Sequence, residues 1–93
     1  SLIVTPERVL EWPPVSFDDL LAMHFESIAA MRPEVVILGT GARLKFPAPF
    51  LTRALVEANI GLEVMDTGAA CRTYNILMSD GRRVAAALLM IEK

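Results

Sequence analysis

The chain has one cysteine, one histidine, one tryptophan and one tyrosine among its 93 residues, and these scarcities remove whole classes of function. Cys71 alone can neither form an internal disulfide nor complete a cysteine zinc site, which suits a reducing cytoplasm. No apolar run approaches the ~20 residues needed to cross a bilayer, so no membrane span is expected. The opening Ser1-Leu2-Ile3-Val4-Thr5-Pro6 lacks the charged and hydrophobic regions of a signal peptide. Charge of one sign is missing too. Nine Lys and Arg against eleven Asp and Glu leave a formal net charge of −2, and no overall field draws the chain to nucleic acid. What is present is apolar: 54% hydrophobic residues and a mean hydropathy of +0.46 suffice for one core in a single domain over 1–93. The stability margin at this size is modest, and homodimerisation would add to it.

Strand and helix signals alternate. Leu2 to Thr5 and Arg8 to Trp12 read as short extended segments, closed by Pro6 and by Pro13-Pro14. Ser16 reads as the N-cap of a first helix, with Asp18 and Asp19 in its first turn. Phe17, Leu20, Leu21, Phe25 and Ile28 form its apolar stripe, which ends near Pro33. Glu34 to Leu38 is a continuous apolar run of the kind covered on both faces in a parallel sheet. Pro47 and Pro49 open a second helix carrying Phe50, Leu51, Ala54, Leu55 and Ala58. A strand over 62–65, a helix over 68–78 with Asp66 or Thr67 as N-cap, and a long apolar strand from Val84 to Ile91 complete the pattern. Strands joined through helices make βαβ units, so the expected fold is α/β, three-layered, with a mixed and mainly parallel sheet. The strands at 35–38 and 62–65 are expected to be parallel and to open their following loops at one edge of the sheet.

Those two loops hold the candidate site. Gly39-Thr40-Gly41 after an apolar strand is similar to the start of a dinucleotide-binding turn, but no third glycine follows at the required offset and the next helix begins too late. A tight turn needing glycine is the plainer reading. Asp66-Thr67-Gly68 puts a carboxylate and a hydroxyl at a helix start, where capping alone accounts for them. Cys71 is expected in the first turn of that helix beside Arg72, surroundings in which a thiol becomes a nucleophile. Its only available histidine, His24, sits off the first helix stripe and is better placed to pack or cap. A small buried apolar role is the commoner one for such a cysteine. Helical spacing puts Arg72 and Asn75 on one face and Tyr74 on the core side with Ala70 and Leu77, while Arg43 joins Arg72 as a basic rim suited to an anion or an acidic partner. Trp12 beside two prolines is either an exposed interface aromatic or a cover for the sheet edge. The five methionines are scattered through apolar segments as core filling. No catalytic set, metal cluster or cofactor motif emerges.

Pro33 to Gly41, Gly61 to Thr67, Ala70 to Leu77 and Gly81 to Leu88, in that order and spacing, resemble the domain-of-unknown-function 498 family, which has mitochondrial relatives among the assembly factors of respiratory complex I. The resemblance implies a three-layer α/β domain with a mixed sheet and carries over no catalytic residue. It also implies sequence before Leu2-Ile3-Val4, and a mitochondrial location only if such a segment targets it. Together these readings favour a non-enzymatic binding or assembly module whose surface at Gly39, Thr40, Gly41, Arg43, Asp66, Thr67, Cys71, Arg72, Tyr74 and Asn75 meets a protein partner. The alternative is a small-molecule or anion site in the same cleft, with N–H groups at 40–43 and 68–70 as donors. Its catalytic variant would use Cys71 as nucleophile or Asp66 as base.

Overall fold

The computed structural model describes residues 1–90. The chain runs β1 (Leu2–Val4), β2 (Val9–Glu11), a 3-10 turn (Phe17–Asp19), α1 (Ala22–Ala30) and β3 (Val35–Gly39). A second 3-10 turn (Pro49–Thr52), α2 (Arg53–Glu57), β4 (Gly61–Met65), α3 (Thr67–Ser79) and β5 (Val84–Leu88) follow. The strands form one sheet in the order β2-β1-β5-β3-β4. β3 pairs in parallel with both β4 and β5, and β1 pairs antiparallel with β5 and β2. The sheet is therefore mixed, as expected, and β5 takes a central place.

Period-two alternation along β3 and β5 sorts their side chains onto two cores. Val36, Leu38, Ala85 and Ala87 pack with Phe25, Ile28 and Leu55 under α1 and α2. Val35, Ile37, Val84 and Ala86 pack with Ala70 and Tyr74 under α3. All ten residues of these two strands are buried, which explains why both read as unbroken apolar runs. The crossover from β3 to β4 moves one way along the sheet and that from β4 to β5 moves back across β3, so α2 and α3 lie on opposite faces.

Three expected elements differ. The first helix is split: Leu20 and Leu21 are extended, and helical backbone resumes only at Ala22. Two local start signals compete there. Asp19 accepts the Ser16 N–H at 3.2 Å, and His24 Nδ1 accepts the Leu21 N–H at 2.9 Å. The extended pair sends Leu20 into the core and leaves Leu21 54% exposed, removing it from the expected stripe. The second helix begins as a 3-10 turn and contains only five α-helical residues; Phe50 and Ala58 point to solvent rather than the core. The last strand stops at Leu88, with Leu89 buried beyond it and Ile91 outside the described residues. Trp12 is a core residue and no interface aromatic. It is 2% exposed, donates Nε1–H to the His24 carbonyl at 3.3 Å and stands edge-on to Phe25.

Candidate functional site

β3 and β4 end side by side, and the chain leaves them toward opposite faces of the sheet. Such a switch point is where open α/β sheets receive ligands. Here hydroxyl groups close it. The Thr67 N–H donates to the Gly41 carbonyl at 2.9 Å, and the Gly41 N–H donates back to Thr67 Oγ1 at 2.8 Å. The same hydroxyl donates to the Leu89 carbonyl at 2.6 Å, tying the end of β5 to the start of α3. Thr40 organises the outer loop: its N–H donates to Met65 O at 2.9 Å, and its hydroxyl donates to Arg43 O at 2.6 Å. That hydroxyl also accepts the Lys45 N–H at 3.1 Å.

Both glycines of the loop have a physical reason. A Cβ at Gly39 would lie 3.0 Å from Thr67 Cα and 3.1 Å from Ala70 Cβ, so only glycine lets α3 approach β3 this closely. Gly41 has φ of +98°, in the left-handed region that side chains avoid. Asp66 is the N-cap of α3, its Oδ1 accepting the Ala69 N–H at 2.9 Å.

The ten sequence candidates thus occupy five settings. Thr40, Gly41 and Arg43 line an open pocket of about 220 Å³, together with Phe17 and Lys45. Gly39 and Thr67 form the closed seam behind it, and Asp66 caps the helix. Tyr74 belongs to the core, packed with Ala70, Val84 and Leu77 as the helical spacing indicated. Cys71, Arg72 and Asn75 stand exposed on α3. Cys71 is the fifth residue of the helix rather than one of its first turn, and it is solvent-facing rather than buried. Arg72 runs back along its own helix, its Nη1 3.6 Å from the point a Gly68 Cβ would occupy. Among the described residues no group of histidine, cysteine and carboxylate side chains could hold a metal ion. No helix among them is long and apolar enough to cross a membrane.

Two features escaped the sequence reading. Leu44, Phe46 and Phe50 are 52%, 72% and 62% exposed, concentrating apolar surface within seven residues of the loop after Arg43. Lys45 between them lies 5.6 Å from the centroid of the Phe17 ring. The signal was present in Phe46 held among Pro47 and Pro49, a segment too rigid to tuck its ring into a helix stripe. The second feature is a groove of about 370 Å³ at the opposite end of the sheet, bordered by Arg8, Arg32, Arg82 and Arg83. These come from three separate turns, which no sequence spacing joins.

The chain matches the model of a family described as protein of unknown function (DUF498/DUF598) over residues 1–89. It is 36% identical over 86 residues to NADH dehydrogenase (ubiquinone) 1 alpha subcomplex assembly factor 3 of Bos taurus, covering 90% of this chain and 47% of that protein. The chain spans about half the length of this protein and of its frog and mouse counterparts. A crystal structure of a Bordetella parapertussis protein superposes with a TM-score of 0.88 at 43% identity, over 95% of this chain and 76% of the other. A solution structure of a Bordetella pertussis protein described as a Mth938-like domain gives 0.84 at 34% identity, over 95% and 72%. With the whole of its described sheet inside the matched region, the chain belongs to the DUF498/DUF598 family.

Proposed function

We propose that this chain is a non-enzymatic binding module that docks a protein partner during assembly of a larger complex, through the loop 40–50 and the adjoining start of α3. The observation that carries the reading is the concentration of Leu44, Phe46 and Phe50 in solvent directly after Arg43. Aromatic and arginine side chains are the usual anchors of protein interfaces, and an apolar cluster of this kind gains by being covered. The name of the bovine relative, an assembly factor of NADH dehydrogenase, supports a role of this type, with respiratory-complex assembly as its specific form. The rival anion reading is weakened by geometry. Of the N–H groups at 40–43 and 68–70, those of Thr40, Gly41, Ala69 and Ala70 already have internal acceptors.

Affinity recovery from native lysate tests the reading, comparing the wild type with Phe46→Ser/Phe50→Ser, with Arg43→Ala/Arg72→Ala, and with Val9→Ser on the far edge of the sheet. The expected result is a defined protein that the wild type and the Val9 variant retain and both double variants lose while still folded. Unaltered recovery by both double variants would overturn the proposed surface.

A further inference from the structure

The groove at the N-terminal ends of β3 and β5 is a separate feature from the docking surface. Its volume, about 370 Å³, falls in the range of small-molecule sites. Arg8 reaches it from the turn between β1 and β2, Arg32 from the connection between α1 and β3, and Arg82 and Arg83 from the turn before β5. Four of the nine basic residues of a chain with net charge −2 thus border one groove. Among the described residues only Arg82 has an ion pair, with Nε 3.4 Å from Glu34 Oε2. The other Glu34 oxygen accepts the Arg83 N–H at 3.3 Å. The C-termini of α1 and α3 also face this end, and each carries about half a negative charge. Those ends, Glu34 and Glu7, the one lining acid among the described residues, still leave an excess of guanidinium charge.

Arg32 stands apart from the other groove arginines in its backbone. It follows the C-cap Met31 with φ of +55°, the left-handed position that helices ordinarily give to glycine. An arginine held there keeps backbone strain that glycine would relieve, and strain of this kind collects at binding sites. The groove floor includes Met31, Pro33 and Val84, and no aromatic ring lines it. A ligand body there is aliphatic rather than a stacked base. Arginines that border the groove from three turns suit the oxygens of a phosphate dianion, which point several ways, better than the flat edge of one carboxylate.

We propose that this groove binds a small aliphatic phosphomonoester, its phosphate held by Arg8, Arg32 and Arg83 and its carbon body resting on the apolar floor. The test is an NMR titration of the intact chain with sn-glycerol 3-phosphate, with inorganic phosphate and glycerol as separate arms. Saturable shifts are expected at residues 5–8, 31–33 and 81–85, with weaker binding of inorganic phosphate and none of glycerol. Arg32→Gly, which suits the left-handed backbone and so keeps the fold, should weaken glycerol 3-phosphate by about tenfold, as should Arg83→Gln. Arg53→Ala, exposed on α2 and outside the groove, should leave it unchanged. Absent shifts at millimolar ligand, equal affinity for inorganic phosphate, or unchanged affinity in both groove variants would each overturn the proposal.

Discussion

Thr67 and Gly41 exchange two hydrogen bonds, each donating its backbone N–H to the other residue, at 2.9 Å to the Gly41 carbonyl and 2.8 Å to Thr67 Oγ1. Because the same hydroxyl donates to Leu89 at 2.6 Å, one buried oxygen joins the ends of three chain segments. Replacing Thr67 by valine keeps the shape and strands a buried donor and a buried acceptor. The expected loss is about 2–4 kcal/mol of unfolding free energy, with Thr67→Ser losing much less. Urea denaturation measures both; a valine variant within about 0.5 kcal/mol of wild type would show that water replaces the hydroxyl.

Gly39 and Gly41 should respond differently to alanine, because their constraints differ. At Gly39 the new methyl meets backbone of α3 at 3.0 Å, and the helix must move off the sheet. At Gly41 no atom lies within 4 Å of the methyl, and only the φ of +98° is strained. Gly39→Ala is expected to cost about 2–3 kcal/mol and Gly41→Ala about 1. A reversed order in thermal or urea unfolding would show that the loop, not the helix contact, sets the geometry.

The fold was largely legible because the chain places its apolar residues with clear period. The apolar runs at 34–38 and 84–91 marked covered strands, found at Val35–Gly39 and Val84–Leu88, and of the two cap candidates Asp66 and Thr67 it is Asp66 that starts α3. What the sequence concealed was set by tertiary competition. Periodicity at 17–28 suits one helix, yet the burial of Leu20 and the His24 bond to Leu21 divide it. Phe50 has the spacing of a core residue and faces water, because the short 3-10 turn rotates it away from the position that a full helix would give. The candidate residues near 39–43 and 66–67 do converge, but through hydrogen bonds that fill the crevice; Cys71, Arg72 and Asn75 stay outside it. The arginine groove was invisible for a simpler reason: Arg8 and Arg83 are 75 positions apart in number and meet only because β1 lies beside β5.

Asp66 distinguishes a cap from a chemical base. As the N-cap it accepts the Ala69 N–H, a role asparagine fills about as well. Asp66→Ala should therefore destabilise by about 1 kcal/mol, and Asp66→Asn by only a few tenths. Equal losses in calorimetry for the two variants would mean that the negative charge, rather than the acceptor, supports α3.

Tyr74 should contribute to the loss of stability at alkaline pH. Burial beneath α3 raises its phenol above the ordinary 10.0, and the negative charge of Glu7 raises it further. Above about pH 10 the unfolded chain gives up this proton while the folded chain holds it, so the folded state then binds more protons. Stability is unaffected by this group below that pH and falls as the pH rises through the folded pKa. Tyr74→Phe removes the titration while keeping the ring, and at neutral pH it should shift stability by no more than about 1 kcal/mol. Urea unfolding of both proteins at pH 8, 10 and 11 checks the sign. The wild type should lose stability more steeply than the phenylalanine variant between the last two points, whereas parallel curves would place the alkaline loss in the lysines and the backbone ends instead.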